Sequence, residues 1–189
     1  MSAARLATDL GDLAVAAPAG LVISLWCARK LDRTLAVSYA LAFISAVVLT
    51  AALKVLSRDF SAPLELTDPF AISEGAPSGH AVLATLVYGV AAWLFALRVE
   101  GGARWPGVIA SVGALAAVLA TRVTLHAHTI ADVLAGVALA TPFLLVATRI
   151  AKVRAPGVRA SGWSLLGLIA LTCTFALFSG LRLSSTRFI

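Results

Sequence analysis

Charge is what this sequence has least of. Only 13% of its 189 residues are Asp, Glu, Lys or Arg, against about 25% in an ordinary soluble domain. A chain so poor in charge cannot cover a water-facing globule, which excludes that class. Disorder is excluded as well: mean hydropathy is +0.97, and a disordered chain is one without the hydrocarbon to offset its conformational entropy. Cysteine is nearly absent, and Cys27 and Cys173 both lie inside apolar runs. They read as small packing residues, with no disulfide framework or thiolate metal site. Basic clusters are missing too. The fifteen Lys and Arg outnumber nine Asp and Glu, but they are scattered in small numbers between apolar runs, as loop charges that orient a membrane protein are and those of a nucleic-acid surface are not. No internal repeat is visible, so an inverted-repeat transporter has no support.

What the chain has is charge-free length. A spanning helix needs about 20 mostly apolar residues, and runs at 13–28, 34–53, 81–97, 105–121, 133–148 and 160–181 approach or exceed that. None alternates as a barrel strand does, and only helices or closed barrels satisfy every backbone group in lipid. The expected fold is therefore all-α, an integral membrane bundle of six transmembrane helices. It forms one domain over 1–189, with a motif-bearing core at 54–150 and a candidate interfacial segment at 1–12. The first run carries Pro18, so a tilted helix or a start as early as Leu10 is open. Arg5 followed by Asp9 and Asp12 argues against a cleaved export signal. Gly107 with Ser111 and Gly136 with Ala140 have the four-residue spacing that lets helices approach closely. One long connection, 54–80, has room for function.

Basic residues set the orientation. Arg29, Lys30, Arg33, Arg98, Arg104, Arg149, Lys152, Arg154 and Arg159 fall in the odd-numbered loops, and the other six fall in the termini and even-numbered loops. The positive-inside rule then puts 54–80 and 122–132 on the outer side. The expected location is a multi-pass place in a bacterial inner membrane, with the site facing the periplasm or exterior.

Ionisable groups at the helix ends of that side are the candidates for chemistry. Taken singly, each has a plain structural reading: Ser78 as an N-cap, Arg122 as a snorkelling cation, Asp132 as a first-turn carboxylate complementing a helix dipole. In combination they form a pattern. Lys54 comes first, then Pro77-Ser78-Gly79-His80, then Arg122 with His128 six residues on and Asp132 four further. These residues resemble the three signature motifs of the type 2 phosphatidic acid phosphatase superfamily, the membrane lipid phosphate phosphatases. The second motif is complete at 77–80. The third, Ser-Arg, five residues, His, three residues, Asp, is matched with Thr121 in place of serine. The first, Lys, six residues, Arg-Pro, is matched only at Lys54: Ser61 and Ala62 stand where Arg-Pro is expected, Pro63 is displaced by one, and Arg58 is the nearest arginine.

The residues themselves make chemical sense for phosphoryl transfer. A phosphoryl group spreads charge over several oxygens, and Lys54 and Arg122 supply cations, Arg122 as a bidentate fork. Ser78, Gly79 and the free N–H groups of a helix start add donors. His128 is the candidate nucleophile. On a helix starting near residue 128, Asp132 lies one turn away and can hold Nδ1–H, leaving Nε2 unprotonated. His80 is the candidate general acid, which then activates water in the second step. His126 reads as an interfacial group without a catalytic role. Arg58, one turn beyond Lys54 if that helix continues, is the candidate substitute for the missing arginine. No cofactor or metal is expected, since Lys54 and Arg122 would repel a cation and no ligand spacing accompanies the histidines.

The resemblance implies a lipid phosphate or isoprenoid diphosphate substrate, membrane lipids as surroundings and no nucleic-acid partner, and leaves the oligomer open. The alternatives are a non-hydrolytic carrier of anionic lipids with a degenerate site, or a lipid phosphotransferase.

Overall fold

The computed structural model describes residues 3–60, 70–73, 75–154 and 159–178, with side chains at those positions other than 57–60, 151, 152, 154 and 176–178. It is an all-helical membrane bundle: α1 Ala3–Asp9, α2 Leu13–Lys30, α3 Arg33–Phe60, α4 Gly79–Arg98, α5 Arg104–Thr124, α6 Ile130–Arg154 and α7 Trp163–Phe178. A two-residue parallel pair, β1 Val99–Glu100 with β2 Ala160–Ser161, ties the α4 and α7 ends together.

Local chemistry explains the helix boundaries. The first apolar run does not extend back to Leu10, because the Asp12 carboxylate accepts from Ala14 N (2.8 Å) and caps α2 at Leu13. Pro18 sits within α2 without ending it, as neighbouring helices permit in a membrane. Asp32 closes the tight α2–α3 connection: its N–H donates to Cys27 O (2.9 Å) while its carboxylate accepts from Leu35 N (3.0 Å).

Five helices, α2 to α6, are long and apolar enough to cross a membrane. The sixth apolar run is shorter as a helix than its sequence suggests. Residues 160–161 are taken by β2, α7 begins at Trp163, and 179–181 lie outside the described residues. Trp26 Nε1 donates to Ser164 Oγ (3.2 Å) and joins α7 to α2.

Helix α4 is the centre of the bundle. It packs against α2, α3, α5 and α6, and 67% of its span is buried, against 17% for α5. Both small-residue pairs serve close packing around it. A Cβ on Gly107 would fall 2.2 Å from the Phe95 ring, and one on Gly136 would fall 2.7 Å from Ser78 O. Ser111 and Ala140 are buried one turn on. Within α4 a π-helical turn at Thr85–Gly89 receives the Tyr39 hydroxyl, which donates to Leu86 O at 3.4 Å.

Candidate active site

Asp132 organises the end of the bundle where α4 begins. It lies in the first turn of α6 and is fully buried. Thr129 and Asp132 satisfy each other in a capping box: Asp132 N donates to Thr129 Oγ1 (3.1 Å), and Asp132 Oδ2 accepts from Thr129 N (3.1 Å). The Thr129 hydroxyl in turn donates to Ala71 O (2.7 Å), holding residues 70–73 against the helix start. Asp132 Oδ1 accepts from Ser73 N (2.9 Å) and Oδ2 from Ser73 Oγ (2.5 Å). The Asp132 carbonyl accepts from Ser78 N (3.0 Å), so the Pro-Ser-Gly-His segment hangs from the same residue.

His128 precedes α6 rather than lying inside it, because Thr129 is the cap. Its Nδ1 nevertheless faces Asp132 Oδ2 at 3.3 Å. Its position follows from how α5 ends: Ala127 N and His128 N both donate to Arg122 O (3.1 Å each), so the five-residue spacer is the turn that folds His128 back onto Arg122. His126 takes the left-handed place in that turn (φ 52°) and is exposed. Gly75 lies against the His128 ring, where a Cβ would come within 3.3 Å of Cε1. Burial, helped by the Arg122 charge and opposed by Asp132, lowers the His128 pKa to about 4. The imidazole is therefore neutral at physiological pH.

The remaining sequence-predicted residues converge on this point. His80 is the second residue of α4, and Arg122, His128 and Lys54 all act on it electrostatically. Lys54 reaches the start of α4, with Nζ 3.7 Å from where a Gly79 Cβ would stand. Ser78 occupies the N-cap position of α4 without capping it: its hydroxyl is fully buried and has no hydrogen-bond partner among the described residues. Arg122 donates through Nη1 to Thr8 Oγ1 (3.1 Å), while its buried Nε has no hydrogen-bond partner among the described residues. Buried polar atoms without partners are uncommon and call for an explanation. Among the described residues Thr85 Oγ1 and Arg104 Nε share this property elsewhere in the bundle, whereas Ser78 Oγ stands at an uncapped helix N-terminus, which favours an anion.

Helix α3 continues past Lys54 to Phe60, so Arg58 is one turn further on the same helix. The Arg58 side chain lies outside the described residues, as do Ser61, Ala62 and Pro63. Among the described residues, no three His, Cys, Asp or Glu side chains gather as a metal-ligand set. Cys27 and Cys173 are buried free thiols.

Sequence reading missed Thr8, Ser73, Gly75 and Thr129. Thr129 was legible in principle as the first residue of a Thr-x-x-Asp cap. Ser73 and Thr8 are separated from their partners by 59 and 114 residues, and carry no spacing signal.

No curated protein and no solved structure matches the chain. The family model of the PAP2 superfamily matches residues 35–156, which include Lys54, the 77–80 segment, Arg122, His128 and Asp132. With that match running through most of the bundle and every residue of the site except Thr8, the chain belongs to the PAP2 superfamily, whose members are phosphatases.

Proposed function

We propose that this protein is a metal-independent phosphatase of the outer membrane interface, which removes phosphate from a lipid phosphate or diphosphate through a phosphohistidine. One observation carries the reading: a histidine backed by a buried carboxylate shares this end of the bundle with buried donors, Ser78 Oγ and Arg122 Nε, that have no acceptor among the described residues. In the first step His128 Nε2 attacks phosphorus and the ester P–O bond breaks, with His80 protonating the departing oxygen. Asp132 holds Nδ1–H and stabilises the charged ring. In the second step His80 takes a proton from water, the water oxygen attacks phosphorus, and the P–N bond breaks to restore His128. Lys54, Arg122, Ser78 and the first-turn N–H groups of α4 at Gly79 and His80 neutralise the phosphoryl oxygens, and Arg58 takes the contact missing from the first motif. These cations would repel a metal ion, so their charge stands in for one. Ser73 keeps Asp132 aimed and ionised.

The surroundings favour an amphiphile. Val55 and Leu56 follow Lys54, and Phe70 and Ile72 precede Ser73; all four are more than half exposed. They form an apolar rim beside a polar centre, suited to a headgroup whose tail stays in the bilayer. Placing this rim at the outer face rests on the nine-to-six division of basic residues.

The test is phosphate release by purified protein in detergent with EDTA, over a panel of lipid phosphates and isoprenoid diphosphates. Release from members of the panel together with an acid-labile phosphoenzyme is expected. Binding without release favours the carrier reading, and label passing to an added alcohol in preference to water favours the phosphotransferase. Single cysteines at Glu65 and Ala155, in a background lacking Cys27 and Cys173, test the side. Position 65 is expected to label from outside intact cells and position 155 is not; the reverse would put the site in the cytoplasm.

A further inference from the structure

The family match begins at residue 35, yet part of the site comes from residues 8–12. Helix α1 packs on α5. Its Thr8 is 7% exposed and accepts from Arg122 Nη1 at 3.1 Å. The carboxylates of Asp9 and Asp12 act electrostatically on the same guanidinium. Beyond α1 the chain is seated tightly: Leu10 O accepts from the Tyr88 hydroxyl (3.0 Å), and a Cβ on Gly11 would fall 2.7 Å from Val118 Cγ1 and 3.1 Å from His80 Cβ. This segment therefore lies across the arginine of the third motif and the histidine of the second.

We infer that Thr8 is a positioning residue for Arg122, and that the segment around it is a working part of the phosphate site. The inference rests on the reading of Arg122 as a phosphate ligand. A guanidinium presents five N–H donors in a rigid plane. Pinning one terminal nitrogen to Thr8 fixes the rotation of that plane, so that Nε and the other terminal nitrogen are aimed together. Without the pin, an arginine at a helix end has several rotamers to choose from, and ordering one of them must be supplied by the substrate. The Thr8 hydroxyl accepts from arginine and touches no reacting atom, so its effect falls on binding of the phosphoryl group more than on the chemical step.

The experiment compares the full-length protein with Thr8→Val, which keeps the shape and removes the hydroxyl, Thr8→Ser, which keeps the hydroxyl, and Arg122→Ala. Each is assayed on dioleoyl phosphatidate in mixed micelles, with orthovanadate inhibition and thermal unfolding measured in parallel. Thr8→Val is expected to raise KM and the vanadate Ki by about tenfold, as for one hydrogen bond to a charged group. Its kcat is expected to change less and its Tm little, and Thr8→Ser recovers most of the loss. Wild-type KM and Ki in Thr8→Val alongside a crippled Arg122→Ala overturn the role of Thr8 and leave the phosphate site standing. A parallel fall in Tm and kcat with unchanged Ki also overturns it, as a packing effect. Wild-type kinetics in Arg122→Ala overturn the phosphate reading, and the role of Thr8 with it.

Discussion

The two ends of the bundle both collect cations and differ in what those cations face. The 20 residues of α4 separate them by about 30 Å. At the far end Arg98 stacks on Trp93 (5.5 Å), Arg104 on Trp105 (5.3 Å), and Arg159 pairs with Glu100 at 3.2 Å with both side chains more than half exposed. Arg98 and Arg104 each have an aromatic face and Arg159 a carboxylate, although Arg104 Nε, like Arg122 Nε, is buried without a hydrogen-bond partner among the described residues. At the near end the buried carboxylate of Asp132 is occupied by Ser73, Thr129 and His128, none of them a fixed cation. The Ser78 hydroxyl and Arg122 Nε have no hydrogen-bond partner among the described residues, which suits them to an anion from outside. Neither counting charges nor an orphan guanidinium nitrogen separates the two ends; the buried His128–Asp132 pair at one and the exposed Arg159–Glu100 pair at the other do.

The sharpest break of this comparison pairs one substitution from each end. His128→Ala is expected to abolish turnover and the phosphoenzyme, while Arg159→Ala leaves kcat/KM unchanged and shifts stability by less than about 1 kcal/mol, as exposed ion pairs do. Activity assays with denaturation curves check both, and equal losses at the two ends would erase the distinction.

Next in size is Asp132→Asn. The amide can hold the ring but cannot stabilise an imidazolium, so kcat is expected to drop about 10³- to 10⁴-fold, by analogy with triad carboxylates. Retention of the fold, seen as unchanged elution and circular dichroism, is part of the expectation.

Arg58→Ala tests whether the near end extends along α3. A loss of about ten- to a hundredfold in kcat/KM is expected, with Arg58→Lys recovering part of it. Unchanged kinetics beside a large loss in Lys54→Ala would make Arg58 a solvated interfacial charge.

The titration of His128 sharpens the comparison without loss of function. Its pKa of about 4 lies below the ordinary value of about 6.5, so the folded state resists protonation. Stability from this group is fully present above pH ~6.5 and declines towards pH ~4, as the unfolded chain takes the proton first. Histidine NMR in a His80→Gln, His126→Gln background is expected to show the His128 midpoint near 4; a midpoint at the ordinary value would mean that the ring is solvated.

The smallest effect is expected at His126, which holds a left-handed conformation (φ 52°) outside the chemistry. His126→Gly relieves that strain but loosens the unfolded chain, so stability should move by no more than about 1 kcal/mol with activity retained. A large loss of activity would bring His126 into the site.

The sequence by itself determined the solvent, the helices and the chemical vocabulary of the site. Apolar run length dictates spanning helices because lipid leaves no other way to satisfy the backbone, and the spacing from Arg122 through His128 to Asp132 is local enough to be read along one turn and one cap. It was less informative where an interaction crosses the chain. The last apolar run reads as a full span, but its first residues pair with β1, a partner 61 positions away. Residues 1–12 read only as interfacial, although Thr8 holds Arg122. Ser73 reads as one polar residue in a loop, although it supplies two of the four donors to Asp132. Tertiary structure alone decided these partnerships, because a hydrogen bond depends on distance in space, and only local segments translate that distance into a fixed spacing along the chain.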